Sequence, residues 1–161
     1  MQPDDSIHPA LFSRLVDGLY VEAMVMADEA RSYFDSQGEG LRQQMEMMTR
    51  LSFTCESLKV TTRLMHIIAW LLTQKAWQRG EIGWADLSDP KYLLGEAATS
   101  DRAVLQSLPD QARLLVTGSE DLYERVRRLQ ERVRAGSDLA VRDMDGNSPA
   151  RQLQSRLERH F

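Results

Sequence analysis

Core-facing positions recur at intervals of three and four along three long stretches of the chain. The first stretch runs from about Pro9 to Ser36, and its set is Phe12, Val16, Leu19, Ala23, Met26, Ala30 and Tyr33. The third begins near Ser107, and its set is Leu108, Ala112, Leu115, Ser119, Leu122, Val126, Leu129 and Val133. This spacing lines one face of an α-helix. Since glycine favours helix C-termini, we expect Gln37-Gly38-Glu39-Gly40 to end the first helix and Gly136 the third.

The second stretch, from about Leu41 to Arg79 and ended by Gly80, carries two apolar stripes. One stripe is Leu51, Cys55, Leu58, Thr62, Met65, Ala69, Leu72 and Ala76. At about 1.5 Å per residue this helix would be near 60 Å long, against about 40 Å for the first. A helix that is apolar nearly all round needs cover on several sides. We therefore assign the first stripe to the bundle core and predict that a second subunit covers the other residues, which are Leu64, Ile67, Ile68, Trp70 and Leu71.

The chain as a whole is predicted to be an all-α, antiparallel three-helix bundle over residues 9–136, with an N-terminal arm of residues 1–8. Residues 81–106 contain Trp84, Leu87 and Tyr92, so we expect this connection to pack on the bundle and to include a short helix. Residues 137–161 are predicted to be a flexible tail. Within the tail Leu153, Leu157 and Phe161 share one helical face, which favours either a recognition helix or no ordered role.

Composition narrows the class of protein. The chain has 161 residues, 42% apolar and 27% charged, with a net charge of −4, which fits one globular domain and argues against a nucleic-acid partner. One cysteine cannot form an internal disulfide, and this indicates a reducing, cytoplasmic setting. The first seven residues carry no basic side chain, unlike a secretory signal, and no apolar run approaches the ~20 residues needed to span a membrane.

Catalytic and metal-binding patterns are absent from the sequence. The histidines lack ligand spacing, and there is no glycine-rich phosphate loop and no nucleophile elbow. We therefore expect no catalytic residue, metal or cofactor. Cys55 is interpreted as a core residue, and His66 as a hydrogen-bonded histidine or a pH-sensitive subunit contact. The charged face of the third helix, with Arg125, Arg128 and Arg132, is either a site for an acidic partner or a solvated face of ion pairs.

Part of the second helix is familiar, namely the segment Thr61–Ala76 followed by Gly80-Glu81-Ile82. Together with Leu19-Tyr20, Glu29-Ala30, Leu108-Pro109 and Arg127-Arg128-Leu129, it resembles the alphaproteobacterial family of the regulator of CtrA degradation, RcdA. The resemblance covers roughly Phe12 to Ala135. It implies a homodimeric three-helix bundle that helps deliver cell-cycle regulators to the ClpXP protease, with recruitment to a cell pole. It also implies a response-regulator-like primer (CpdR) and a cyclic-di-GMP effector (PopA) as co-workers.

The predicted function is therefore a non-enzymatic protein–protein adaptor. One rival is a helical transcription regulator, which salt-sensitive binding to DNA would support. Another is a helical small-ligand-binding protein with a pocket beside Trp70 and Trp77, which a filled bundle interior would count against.

Overall fold

The described part of the chain, residues 8–144 of a computed structural model, is built from helices. They are α1 (Pro9–Ser32), α2 (Gly38–Gln44), α3 (Met47–Gln78), α4 (Arg102–Gln106) and α5 (Asp110–Met144). A π-helical turn, Tyr33–Gln37, joins α1 to α2, and two 3₁₀ turns, Ala85–Ser88 and Pro90–Tyr92, lie between α3 and α4. No strand occurs among the described residues, and the predicted all-α class is confirmed.

The long helices α1, α3 and α5 pack against one another, and their contacts fix their directions. Helix α1 is antiparallel to α3, because Phe12 near its start lies beside Trp77, with ring centroids 6.4 Å apart. Helices α3 and α5 run in the same direction, because Arg63 contacts Ser119 while the later Gln74 lines a cavity with residues 130–138 of α5. The predicted antiparallel arrangement therefore holds for α1 against its neighbours but not between α3 and α5.

The long connection between α3 and α5 explains this parallel pair. After α3 the chain returns along the bundle through an extended segment, residues 94–101, which we call the strap. The strap passes His66 at Gly95 and reaches Glu56 at Ser100. From His66 back to Glu56 the helix rises about 15 Å, and from Gly95 to Ser100 an extended chain covers about 17 Å. The connection thus carries the chain back to the end of the bundle at which α5 starts. The short helix predicted within residues 81–106 is α4.

The core is formed by the predicted faces of α1 and α5. Nearly all residues of both predicted sets are buried, with Val16, Ala23, Ala112, Leu122 and Val126 fully inaccessible. Helix α3 contributes a face that combines apolar and polar side chains, namely Phe53, Glu56, Val60, Arg63, Leu64, Ile67, Trp70, Leu71 and Gln74. The predicted core stripe of α3 is therefore wrong, and its actual position is described below.

Gly38 and Gly40 do not end the first helix, contrary to the prediction. The chain stays helical through the π-helical turn to Gln44, and Gly38 itself has φ −65° and ψ −29°. A Cβ at Gly38 would lie 3.3 Å from a ring carbon of Phe53, so this glycine serves close packing. The helix ends instead at Met45, whose ψ of 146° is extended, and Arg50 closes the break by donating to the carbonyl oxygens of Arg42 and Met45 at 2.9 and 3.3 Å. The predicted second helix is consequently two helices.

The other two predicted helix ends have opposite outcomes. Gly80 has φ +75°, and the amides of Gly80 and Glu81 each donate to a carbonyl of the last helical turn at 2.9 Å, which is the glycine C-cap expected for α3. Helix α5 instead continues through Gly136 to Met144, since a single glycine inside a long helix costs only about 1 kcal/mol. The predicted boundary between bundle and tail, at Gly136, therefore falls inside α5. At its other end α5 begins at Asp110 and not at the predicted Ser107.

Candidate interaction surfaces

One face of α3 is exposed and carries no charged side chain. We call it the outer face and define it as Leu51, Cys55, Leu58, Thr61, Thr62, Met65, Ala69 and Leu72, all exposed. Its four large residues recur every seventh position, and Leu51, Leu58, Met65 and Leu72 are 57, 63, 63 and 46% exposed. In a chain with 27% charged residues, an exposed helix face without charge is typical of an interaction surface.

The predicted subunit contact lies elsewhere than the sequence indicated. Leu64, Ile67, Trp70 and Leu71 are at most 3% exposed inside the single chain, so they cannot supply a contact with a second copy. Ile68 is half-buried beside the same core. Conversely, Cys55, interpreted as a core residue, is exposed on the outer face. The assignment of the two stripes of α3 was therefore wrong, because the face that carries Glu56, Arg63 and Gln74 among its apolar residues turns inward.

A buried arginine lies on the face of α3 that turns inward. Arg63 is 2% exposed and donates to the Ala98 carbonyl oxygen at 2.7 Å and to the hydroxyl oxygens of Ser100 and Ser119 at 2.8 and 3.2 Å. Its guanidinium also lies 3.5 Å from a carboxylate oxygen of Glu120. Burial lowers the pKa of Arg63, and the nearby carboxylates oppose that shift. The guanidinium thus ties α3 to the strap and to α5 at once.

Glu56 completes this polar cluster. It is 2% exposed and accepts hydrogen bonds from Lys59 Nζ at 2.9 Å and from the Ser100 hydroxyl. Lys59 also donates to the carbonyl oxygen of Thr99 in the strap at 3.1 Å. A buried carboxylate needs such partners, because an unpaired buried charge is costly. Glu56, Lys59 and Arg63 of α3 therefore hold the strap.

The strap is also tied down at its other end. Tyr123 donates its hydroxyl to the Gly95 carbonyl oxygen at 2.9 Å, and the Leu94 amide donates to Gln130 Oε1 at 2.7 Å. Gly95 lies so close to His66 that a Cβ there would be 2.7 Å from the imidazole ring. His66 is thus half-buried beneath the strap of its own chain, and Gly95 is required there for close approach.

The arginines predicted to bind a partner lie mostly in ion pairs. Arg125 forms a two-pronged pair with Glu22 of α1, at 2.6 and 2.9 Å. Arg128 lies 3.4 Å from Glu124, and the hydrogen bond from Arg127 lowers the pKa of Glu124. These contacts favour the solvated face of ion pairs over a site for an acidic partner.

A cavity of about 560 Å³ opens at the end of the bundle where α1 begins and α3 ends. We call it the end pocket; its lining includes Phe12, Trp77, Trp84, Arg132, Val133 and Gly136. Trp84 lies against Trp77 with ring centroids 5.1 Å apart and is 39% exposed. Arg132, the third of the predicted partner-binding arginines, borders this pocket. The sequence indicated a pocket beside Trp70 and Trp77, and a ligand for it stays a prediction.

Three further expectations concern the tail residues, a metal site and a membrane span. Leu153, Leu157 and Phe161, predicted to bind a partner, lie outside the described residues. Within residues 8–144, no cluster of three or more His, Cys, Asp or Glu side chains is arranged to hold a metal ion. The helices described in that range include none with the length and apolar character needed to cross a membrane.

Comparison with known proteins identifies the family. A family described as "Protein of unknown function (DUF1465)" matches residues 7–161. No curated protein matches the chain. Among solved structures, the crystal structure of RcdA from Caulobacter crescentus CB15 is similar, with 29% sequence identity over 80% of this chain and 94% of that chain and a TM-score of 0.60. The chain therefore belongs to the DUF1465 family, and its resemblance to the RcdA family is confirmed.

Proposed function

We propose that this chain is a non-enzymatic adaptor that helps deliver cell-cycle regulators to the ClpXP protease in the cytoplasm, with recruitment to a cell pole. The observation that carries the proposal is the similarity to RcdA over most of both chains. The outer face of α3 supports it, because an adaptor acts through binding surfaces and burial of apolar area drives protein association.

The proposal includes a homodimer, with the outer face as its contact in place of the buried residues. Along this face the large residues alternate with the small residues Cys55, Thr62 and Ala69, and spacings of three and four are those of a two-helix seam. A two-fold axis makes such a contact self-complementary. In an antiparallel pairing of two copies, Leu51 lies opposite Leu72 and Leu58 lies opposite Met65. The two-fold axis then passes between Thr61 and Thr62, so the two copies of Thr62 are offset by only about 1.5 Å along the helix.

A matched pair of substitutions tests the dimer. Leu58 on the outer face and Leu114 on α5 are 63 and 66% exposed, so each can take a glutamate without disturbing the core. Leu58→Glu places two charges in the contact and should give a monomer, whereas Leu114→Glu should leave the dimer intact. Sedimentation equilibrium measures the mass, and circular dichroism checks that both variants stay helical. A folded dimer in Leu58→Glu would refute the outer-face contact.

Disulfide crosslinking tests the direction of the pairing. In a Cys55→Ser background, Thr62→Cys should form an intermolecular disulfide under mild oxidation, because an antiparallel pair brings position 62 of both copies together. The natural Cys55 should not crosslink to itself in the otherwise unaltered chain, since the two copies of Cys55 then lie about 20 Å apart along the helices. Efficient crosslinking through Cys55 would indicate parallel helices and contradict the proposed register.

Adaptor activity is tested with purified components. Proteins whose half-life lengthens in cells lacking the chain are candidate clients, and each is then incubated with purified ClpXP, ATP and the response-regulator-like primer. The initial rate of client loss should rise when the chain is added and should not rise with chain alone in the absence of ClpXP. If no stabilised protein is degraded faster by ClpXP in the presence of the chain, the adaptor proposal is wrong, whatever the result for the dimer.

A further inference from the structure

The end pocket is an apolar hollow with little charge around it. Its walls are formed by Phe12, Trp77 and Val133, and the partly exposed Trp84 lies at its mouth. Arg132 is the one charged side chain among its described lining residues. Uncharged polar groups at its edge come from Ser13, Gln78 and Ser137. Aromatic and aliphatic walls beside such groups suit an amphipathic occupant. Packing within residues 8–144 leaves this hollow unfilled.

Helix α5 extends past this pocket. Pro9 at the start of α1 and Gln78 at the end of α3 both line the pocket and mark the end of the bundle. Ser137 of α5 lines it as well, and α5 then continues to Met144, about 10 Å further. Residues 145–161 therefore begin beyond the pocket. The chain would reach the pocket again if it reversed its direction after Met144.

The sequence after Met144 has the features of such a return. Asp145-Gly146-Asn147-Ser148-Pro149 is rich in turn-forming residues. In the following residues, Leu153, Leu157 and Phe161 fall on one helical face. The opposite face is polar and consists of Arg151, Gln152, Ser155, Arg156, Glu158 and Arg159. A helix of this kind has one apolar face that needs cover.

We propose that residues 149–161 dock as an amphipathic helix into the end pocket of their own chain. A helix that starts at Pro149 and runs back along α5 descends about 12 Å by Leu157, the same distance by which α5 rises from Gly136 to Met144. Leu157 therefore arrives at the level of Gly136, and Phe161 about 6 Å lower, beside Val133 and Arg132. The pocket's occupant is a segment of this chain, and this inference does not depend on the proposed adaptor function.

The tether makes a weak contact effective. A helix of 13 residues is marginal by itself in water, but a short linker holds it near its site at about millimolar effective concentration. Docking is then reversible, and a partner that captures the tail would uncover Trp77 and Trp84. The pocket and the tail are thus available to partners only when they are apart.

Tryptophan fluorescence tests the docking in the full-length chain, because Trp70, Trp77 and Trp84 all lie at this end of the bundle. Leu157→Ser should shift the emission maximum to the red and increase quenching by acrylamide. Arg159→Ser, on the opposite face of the same helix, should leave both unchanged. A synthetic peptide of residues 145–161 added to Leu157→Ser should reverse the change. Circular dichroism melting confirms that the bundle of each variant is intact.

Three results would overturn the proposal. The first is identical emission and quenching in Leu157→Ser and the natural chain. The second is an effect of Ile7→Ser without one of Leu157→Ser, which would assign the pocket to the N-terminal arm. The third is a difference that disappears when the protein is diluted, which would place the tail in a second copy and not in its own chain.

Discussion

Replacement of Arg63 by methionine should free the strap and lower the free energy of unfolding by about 3 kcal/mol. The guanidinium makes three hydrogen bonds, to Ala98, Ser100 and Ser119, and its loss leaves the 2%-exposed carboxylate of Glu56 with less compensation. Removing one member of a buried charged cluster costs about 3–5 kcal/mol in general. We place the loss at the lower end because Lys59 stays paired with Glu56 at 2.9 Å and methionine fills part of the space.

Urea unfolding followed by circular dichroism measures the free energy, and amide hydrogen exchange measures the strap directly. In Arg63→Met, exchange at residues 94–101 should accelerate more than exchange in α1, because the lost bonds reach the strap and α5. Arg125→Met is the control: its ion pair with Glu22 is exposed, with side chains 50 and 41% accessible, and a pair of that kind contributes at most about 1 kcal/mol.

The double variant Glu56→Gln/Arg63→Met distinguishes an electrostatic from a packing effect. Neutralising Glu56 removes the charge that Arg63→Met leaves poorly compensated, so part of the lost stability should return. The reasoning is refuted if Arg63→Met unfolds within about 1 kcal/mol of the natural chain or if the double variant is no more stable than the single one.

Two matched pairs give further predictions, each checked by chemical or thermal unfolding. Gly95→Ala should destabilise by about 1–3 kcal/mol because its Cβ would meet the His66 ring at 2.7 Å, whereas Gly18→Ala, with open space within 4 Å, should stabilise by about 0.5–1 kcal/mol; equal melting temperatures would contradict this. Tyr123→Phe loses the hydrogen bond to the strap and should cost about 1 kcal/mol. Tyr33→Phe should be near neutral, because the Tyr33 hydroxyl lies near the Ala112 amide but makes no hydrogen bond of normal geometry among the described residues. Burial raises the pKa of both tyrosines from the usual value of 10.0, so the stability linked to each protonated hydroxyl is complete below the unfolded pKa and is lost as pH rises through the folded pKa. Tyr33→Phe should therefore lose less stability than the natural chain as pH rises above 10.0.

The cores of α1 and α5 were predictable because each helix has one apolar face. Helix α3 has two faces with the same spacing of three and four, one through Phe53, Val60 and Ile67 and the other through Leu58 and Met65. Hydrophobicity alone selects the second, which has no charge. The first faces inward because its large apolar side chains are buried and because Arg63 and Glu56 find partners on a strap and a helix that come later in the chain. Local sequence does not show those partners.

Glycines illustrate the same limit at helix ends. Gly80 ends α3 because the chain there turns away with φ +75°. Gly38 lies in helical conformation under Phe53, and Gly136 lies within α5. The residue type permits a helix end in all three places, and only the packing around each one decides whether the helix stops. The tail residues Leu153, Leu157 and Phe161 remain a prediction from the sequence.

The parallel alignment of α3 and α5 has a consequence for the order of folding. Helices α1 and α3 are joined by a short helical corner, so their contacts form at small loop-closure cost. Helix α5 cannot pair with α3 through a tight turn, because the chain must first retrace the bundle between Arg79 and Pro109. Loops of that length slow the formation of the contacts they close. The α1–α3 hairpin is therefore the expected nucleus, and α5 joins it as the strap is laid down.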